Sequence, residues 1–443
     1  VARPRLVPTA RSVAADVLVR VERDSAFAAA ALDVELDRNI QLEPRDRALA
    51  TELVYGSLRL RGWLEARLSR HAPRGLSNLP PEVRAILVIA AYQLLALERV
   101  PAFAAVSEAV SGVRAVAGER VSGFANAVLR KLSKEPKPTT DELARAALAS
   151  ADPALTKAII ESIGEPATLA LFAATEPPPL GIRVEDASTR DSWLATLREA
   201  RPSASIEPGR VSPHSIALRG AGRLTDLPGF ADGAWTPQEE GSQVVALALG
   251  AREGDVVLDA CAGRGNKTGL LARAVGVSGA VDAADLHPKK LERLERELGR
   301  IGQRPRSTFA VDWASGTGGA TGPYDRVLVD APCSGTGTVR RRPELLLRRA
   351  ASDLDDLASL QRSILSRAAT LVRPGGRLVY AVCSVLRAEA EAVVEHARQC
   401  GLTPAPFDAP VAAIVAPGDA TSFRLLPSEH GTDGYFVASF VRT

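Results

Sequence analysis

The sequence predicts a multidomain chain. An all-α bundle comes first, a small α/β region follows, and a C-terminal α/β domain is built on a mostly parallel sheet. Three observations carry this. The 443 residues exceed what one compact core holds, since single cores stop growing near ~250–300 residues. Residues 1–135 repeat apolar positions at three- and four-residue spacing, and no segment there alternates with period two. From residue 236 onward, short β-branched runs alternate with helical stretches, the pattern of a parallel sheet covered by helices on both faces.

The elements follow in order. Val13, Val17, Leu18 and Val21, then Leu49, Leu53, Val54 and Leu58, lie on single helical faces. Residues 83–97 are nearly all apolar and are expected at the centre of the bundle, started by Pro80-Pro81 and stopped by Pro101. Helices over 106–116 and 121–132 complete domain 1–135. Basic residues gather at its ends, Arg3, Arg5 and Arg11 at one and Arg130, Lys131 and Lys134 at the other. They are either solvated helix faces or phosphate contacts. A Pro/Lys/Thr linker opens region 136–235. Two short helical segments, a strand over 180–185, a helix over 191–200 and a strand over 215–218 are expected there. In domain 236–443, strands are expected over 256–259, 280–285, 307–311, 326–330 and 377–383. Helices are expected over 267–275, 288–300, 353–372 and 388–399, with a last strand over 435–441 after Gly431-Thr432-Asp433-Gly434.

Apolar residues make up 46% and charged residues 24%, a globular balance rather than a disordered one. A net charge of +3 permits a nucleic-acid partner without demanding one. The four cysteines, at 261, 333, 383 and 400, form no CxxC pair. That excludes a disulfide-stapled scaffold and argues against a zinc cluster, so no metal is expected. The longest apolar stretch, 85–97, contains Gln93 and is too short to cross a bilayer. A cytoplasmic monomer with no membrane partner is the expectation.

The first strand of the last domain ends at Asp259 and runs into Ala260-Cys261-Ala262-Gly263-Arg264-Gly265-Asn266-Lys267-Thr268. Glycines after such a strand let a ligand approach a helix N-terminus. A Walker A loop fails, because Cys261 and Asn266 stand where its glycines belong. A dinucleotide fingerprint is weakened by Thr268 where it needs a third glycine. A nucleoside-type cofactor without pyrophosphate remains. Asp285, ending the second strand, suits ribose hydroxyls, and Asp312, after the third, suits an adenine edge; loop capping is the alternative for both. The fourth strand ends in Asp330-Ala331-Pro332-Cys333-Ser334-Gly335-Thr336-Gly337 and the fifth in Val382-Cys383-Ser384.

Two cysteines at the ligand-binding ends of adjacent strands, one beside an aspartate, suit methylation of pyrimidine carbon 5. A thiolate adding to carbon 6 makes carbon 5 nucleophilic. An acid near the ring stabilises the developing charge. A base then removes the carbon 5 proton.

These motifs resemble the RNA (cytosine-5) methyltransferases of the Nol1/Nop2/Sun superfamily. The whole chain is similar to its RsmB (Sun/Fmu) family, which acts on 16S ribosomal RNA. Val100-Pro101-Ala102 with Ala105, Val106 and Glu108, and Asn126-Ala127-Val128-Leu129-Arg130, resemble the NusB-like domain of that family. Segment 238–243, Cys383-Ser384-Val385-Leu386 and Asp433-Gly434-Tyr435-Phe436 resemble its later motifs.

The resemblance implies a NusB-like helical RNA-binding domain, a small α/β RNA-binding region and a Rossmann-like methyltransferase domain. It implies Cys383 as nucleophile, Cys333 as the thiol of product release, and Asp330 and Lys267 as their catalytic partners. It implies S-adenosylmethionine held by Cys261, Ala262, Gly263, Arg264, Gly265, Asn266, Lys267, Asp285, Asp312 and Asp330. The usual loop reads Cys-Ala-Ala-Pro-Gly-Gly-Lys-Thr, so Gly263, Arg264 and Asn266 depart from it, and Asn266 is expected to narrow the cofactor loop. Val382 stands where threonine is common. Arg340, Arg341 and Arg342, followed by Arg348 and Arg349, are expected to meet RNA phosphates. The alternatives are the same chemistry on transfer RNA or another RNA, or an RNA-binding assembly factor with a vestigial methylase domain.

Overall fold

The computed structural model describes residues 8–73, 75–173, 178–348, 353–409 and 419–443. Arg3, Arg5 and Arg349, named above, lie outside them. The chain forms two compact units, Val1–Pro178 with Val339–Ala350, and Pro179–Thr338 with Ala351–Thr443.

Among the described residues the first unit holds ten α-helices. They are α1 (Ala10–Arg23), α2 (Ala28–Arg38), α3 (Pro44–Arg59), α4 (Arg61–Ser69), α5 (Pro81–Ala96), α6 (Ala102–Ala117), α7 (Glu119–Leu132), α8 (Thr140–Leu148), α9 (Pro153–Ile163) and α10 (Glu165–Phe172). Their starts are written locally. Thr9 and Ser12 form a capping box at α1, and proline opens α3, α5 and α9. α5 is apolar all round because it is the core: Leu87, Val88 and Ala91 are fully buried, with α1, α3 and α6 packed about them. The 136–235 stretch divides between the units. α8 to α10, one helix more than expected, belong to the helical unit, where Trp63 N donates to Ser150 Oγ at 3.1 Å.

Segment 339–348 also belongs to the helical unit. Glu344 Oε1 accepts from Ala28 N at 3.2 Å, and Arg59 Nη2 donates to Arg340 O at 3.4 Å. Arg348 Nη2 donates to Val21 O at 3.1 Å and to Ala26 O. The guanidinium groups of Arg342 and Arg348 lie 5.9 and 5.7 Å from the Phe27 ring centroid.

The second unit opens with β1 (Leu180–Val184), α11 (Arg190–Ala200), β2 (Ser205–Pro208), β3 (Ser215–Arg219) and β4 (Trp235–Pro237), a four-stranded antiparallel sheet ordered β2-β3-β1-β4. Ile182, Val184, Leu197, Ile216 and Trp235 form its core. The larger sheet follows, with α12 (Glu240–Ala248), β5 (Val256–Asp259), α13 (Asn266–Val275), β6 (Ala280–Asp285), α14 (Pro288–Arg300), β7 (Ser307–Ala310), β8 (Tyr324–Asp330), α15 (Asp353–Leu371), β9 (Val372–Val382), α16 (Glu391–Ala397), β10 (Leu402–Pro404), β11 (Ser422–Leu425) and β12 (Tyr435–Arg442). Its order is β10-β12-β9-β8-β5-β6-β7, with β11 also on β12. β5 to β9 run parallel, while β10, β11 and β12 pair antiparallel.

Both faces of this sheet are buried, as parallel strands require. Leu258, Val327, Val329, Leu378 and Tyr380 face α15 and α16, while the alternating Val257, Leu328 and Val379 face α12 and α13. β9 starts at Val372, earlier than its apolar run suggests, because Tyr324 of β8 pairs with Val372 across a register shift. No helix among the described residues is long and apolar enough to cross a membrane.

Candidate active site

β5 lies between β6 and β8, so successive connections leave it in opposite directions and open a crevice at the carboxyl ends of these strands. The glycine loop begins there. Gly265, at φ +86°, caps α13, and a Cβ on it would stand 2.6 Å from Leu294 Cγ. That position demands glycine. Gly263, at φ +58°, faces open space. Asp285 at the end of β6 shapes the loop from outside: its Oδ2 accepts from Gly263 N at 3.0 Å and its Oδ1 from His287 N at 2.9 Å, with Lys290 Nζ at 3.4 Å. Each oxygen keeps a further lone pair for a ligand hydroxyl. Beneath the loop, Asp259 accepts from Thr268 Oγ1 at 2.8 Å, and burial pushes its carboxyl up to about 6.

Asn266 does not narrow the loop as expected. Its Nδ2 donates to Pro237 O at 3.1 Å, which turns the side chain toward β4. Its own carbonyl accepts from Arg183 Nη1 at 2.5 Å. Arg183, fully buried on β1, also reaches Gln238 Oε1 and Glu185 Oε1, each at 2.7 Å. The small sheet therefore buttresses the glycine loop through one guanidinium.

The cysteine turns stand beside this loop. Cys333 Sγ and Cys383 Sγ are 3.3 Å apart and both thiols are free. Lys267 Nζ, from the first turn of α13, donates to Asp330 Oδ2 at 2.6 Å. Burial works against the Lys267 ammonium, but the Asp330 charge and hydrogen bond outweigh it, with smaller pulls from Asp259 and Cys383, so its pKa lies above the usual lysine value. The hydrogen bond to Cys383, then burial, then the charges of Cys383 and Glu389 push the Cys333 thiol well up. Burial and the charges of Asp330, Asp259 and Asp285 do the same to Cys261.

Gly337 N donates to Cys383 O at 3.1 Å and Gly434 N to Gly337 O at 2.8 Å, so the Asp433-Gly434 turn closes over the cysteine turns. A Cβ on Gly337 would fall 2.0 Å from Gly434 O, so only glycine lets the two strands of backbone pass.

Cys261, Lys267, Asp285, Asp330, Cys333 and Cys383 thus converge at neighbouring strand ends. Asp312 is exposed beyond β7, where its Oδ1 accepts from Ala314 N at 2.9 Å, and Arg264 is exposed on the loop rim. Of the arginine run, Arg340 and Arg341 are half-buried and Arg342 is exposed. Sequence reasoning missed Arg183 and a buried polar cluster of Glu389, Ser334, Ser384 and Gln361 behind the thiols. Its signal was the Cys-Ser dipeptide repeated at both turns.

A Rossmann-like sheet with a glycine turn after its first strand, an acid ending the second and paired thiols following the fourth and fifth defines a class, the methyltransferases with a nucleoside-type cofactor. The family model described as 16S rRNA methyltransferase RsmB/F matches residues 246–441, and that of the NusB family matches 8–134. A probable ribosomal RNA small subunit methyltransferase B from Synechocystis sp. is 30% identical across 97% of this chain and 99% of its own. The ribosomal RNA small subunit methyltransferase B of Xylella fastidiosa is 34% identical across 90% of each chain. The crystal structure of PH0851 shares the fold, with a TM-score of 0.81 over 99% of this chain and 100% of that one at 22% identity. The chain belongs to the RsmB/F family of S-adenosylmethionine-dependent rRNA methyltransferases.

Proposed function

We propose that this protein methylates carbon 5 of a cytosine in 16S ribosomal RNA through a covalent bond between Cys383 and carbon 6. The observation that carries this is the thiol pair, 3.3 Å apart beside the Lys267–Asp330 bridge. Capture of the base takes one thiol and its release takes a general base beside it, and the second thiol stands where it can serve as that general base.

The cradle fits S-adenosylmethionine. Gly263 faces open space, Asp285 keeps lone pairs for ribose hydroxyls, and Leu286 beside it is 55% exposed as an apolar wall. Residues 261–267, Asp285 and Asp330 hold the cofactor, with Asp312 at the open rim. Bound there, S-adenosylmethionine supplies an electrophilic methyl group. Cys383 bonds carbon 6, with the Lys267 ammonium close enough to feel its charge. Asp330, held by Lys267, meets the base edge.

Cys333 then takes the carbon 5 proton as the bond from Cys383 to carbon 6 breaks and the ring double bond re-forms. The hydrogen bond to Cys383 is the largest cause that raises the Cys333 thiol, ahead of burial, and the charge of Cys383 adds to it. Both vanish once Cys383 is bonded to the base, so Cys333 ionises more readily at the step that needs it. The NusB-like unit carries RNA through exposed Arg130, Lys131 and Lys134 at the end of α7, and Arg342 joins them as a phosphate contact.

Denaturing gels with labelled RNA test the roles. Cys383→Ala is expected to abolish methyl transfer and leave no adduct. Cys333→Ala is expected to accumulate a covalent protein–RNA species. An adduct that survives loss of Cys383 would show the roles reversed. Bisulfite mapping of RNA from a deletion strain is expected to lose a methylated cytosine in 16S rRNA; a loss confined to transfer RNA would overturn the substrate.

A further inference from the structure

One buried carboxylate stands behind both thiols and has no part in the chemistry above. Glu389, six residues beyond Cys383, is fully buried. Its Oε1 accepts from Ser334 N at 2.8 Å and from Gln361 Nε2 at 3.0 Å. Its Oε2 accepts from Ser334 Oγ at 2.6 Å and from Ser384 Oγ at 2.5 Å. Ser334 follows Cys333 and Ser384 follows Cys383, so the residues after the two thiols converge on a single oxygen. The frame is braced further. Gln361 Nε2 also donates to Pro332 O at 2.9 Å, and Tyr380 OH donates to Glu389 O at 2.7 Å.

We propose that Glu389 is a positioning residue for the reaction, clamping the two cysteine turns so that the sulfurs keep the separation at which one captures the base and the other releases it. This rests on the reading of the thiol pair given above. A buried charge is retained only where it is fully hydrogen-bonded. A carboxylate is the side chain whose two oxygens accept four such bonds without donating any. Glutamine keeps the shape of Glu389 but replaces one acceptor with a donor, which would face either both serine hydroxyls or Ser334 N and Gln361 Nε2. The turns lose their common anchor while the apolar core around them is unchanged.

The test uses the full chain with labelled 16S rRNA transcript. Glu389→Gln is expected to lower kcat by on the order of 10–100-fold, the scale on which displacement of reacting groups by about 1 Å acts. KM for RNA and for S-adenosylmethionine should stay within about twofold. The fraction of enzyme trapped as covalent adduct should rise above wild type, a partition that general loss of folded protein would not move. Ser384→Ala removes a single hydroxyl from the clamp and should shift the same partition in the same direction by less. It decides the matter if Glu389→Gln fails to fold. Wild-type partition in Ser384→Ala and in any folded Glu389→Gln overturns the proposal. A Cys383→Ala variant that still methylates overturns the thiol reading instead, so the two failures are separable.

Discussion

The two units bury different things. In the helical unit the interior is aliphatic, with Leu18, Leu53, Leu64, Leu87 and Leu129 fully buried. Among the described residues it buries few charged side chains, Glu35, Arg59, Arg61 and Glu344, while pairs such as Arg114–Glu119 lie exposed at its rim. In the α/β unit, Arg183, Asp259, Gln361, Ser384 and Glu389 are fully buried, and all five stand around the carboxyl ends of the parallel strands or behind them. Aliphatic packing is non-directional and tolerates rearrangement, whereas a buried polar group is stable only in one hydrogen-bonded geometry. The α/β unit spends its interior on orientation, and the orientation is that of the glycine loop and the two cysteine turns.

The strongest way to break this contrast is to remove a charge from the oriented cluster without changing its volume. Lys267→Met leaves Asp330 without the ammonium that now sits 2.6 Å away. Methyl transfer is expected to fall by about 10²–10³-fold, the range for losing one preorganised electrostatic partner. Radiolabelled transfer to RNA measures it. A loss within about threefold would make the bridge structural only.

How much of this was legible depends on whether the deciding contact is local. α5 could be read directly, because an all-apolar run between prolines has one stable place to go. The ends of the parallel strands were legible because Asp259, Asp285, Asp330 and Cys383 each close a β-branched or apolar run. β2 and β4 were not, being short and held mainly by their neighbours. Residues 372–376 were not read as strand because Pro374, Gly375 and Gly376 signal a turn. Asn266 was expected to crowd the cofactor, since a sequence shows that a side chain is present but not that Pro237 O will turn it aside. Nor can spacing show that Glu344 of the arginine-rich segment meets the backbone of Ala28, 316 residues away. Glu389 was overlooked for the same reason: its partners come from two strand ends and from α15.

A second prediction sharpens the contrast from the other side. Leu87 is fully buried in α5. Leu87→Ala is expected to cost about 2–5 kcal/mol of stability in the helical unit, through lost burial and the cavity left behind. Urea unfolding measures that loss. Binding of S-adenosylmethionine by the folded protein should be unchanged in calorimetry, because every residue assigned to hold it lies in the α/β unit. A Kd that weakens in step with stability would mean that the cofactor loop depends on the helical core.

The smallest expected effect concerns the pH dependence of the buried acid under the glycine loop. Burial raises the Asp259 carboxyl from an ordinary 3.8 to about 6. Between these values the folded protein holds a proton that the unfolded chain has released. Stability therefore falls as pH rises from about 4 to about 6 and levels off above, where both states are ionised. The shift sets a ceiling of about 3 kcal/mol, reduced by whatever the loop relaxes to admit. Asp259→Asn keeps an acceptor for the Thr268 hydroxyl and has no proton to lose. Its melting temperature relative to wild type should climb across that window and then stay level. A difference that is flat from pH 4 to pH 7 would mean that the carboxylate is already paid for in the folded state, and that the strand end beneath the cofactor loop carries its charge as easily as the bundle's rim does.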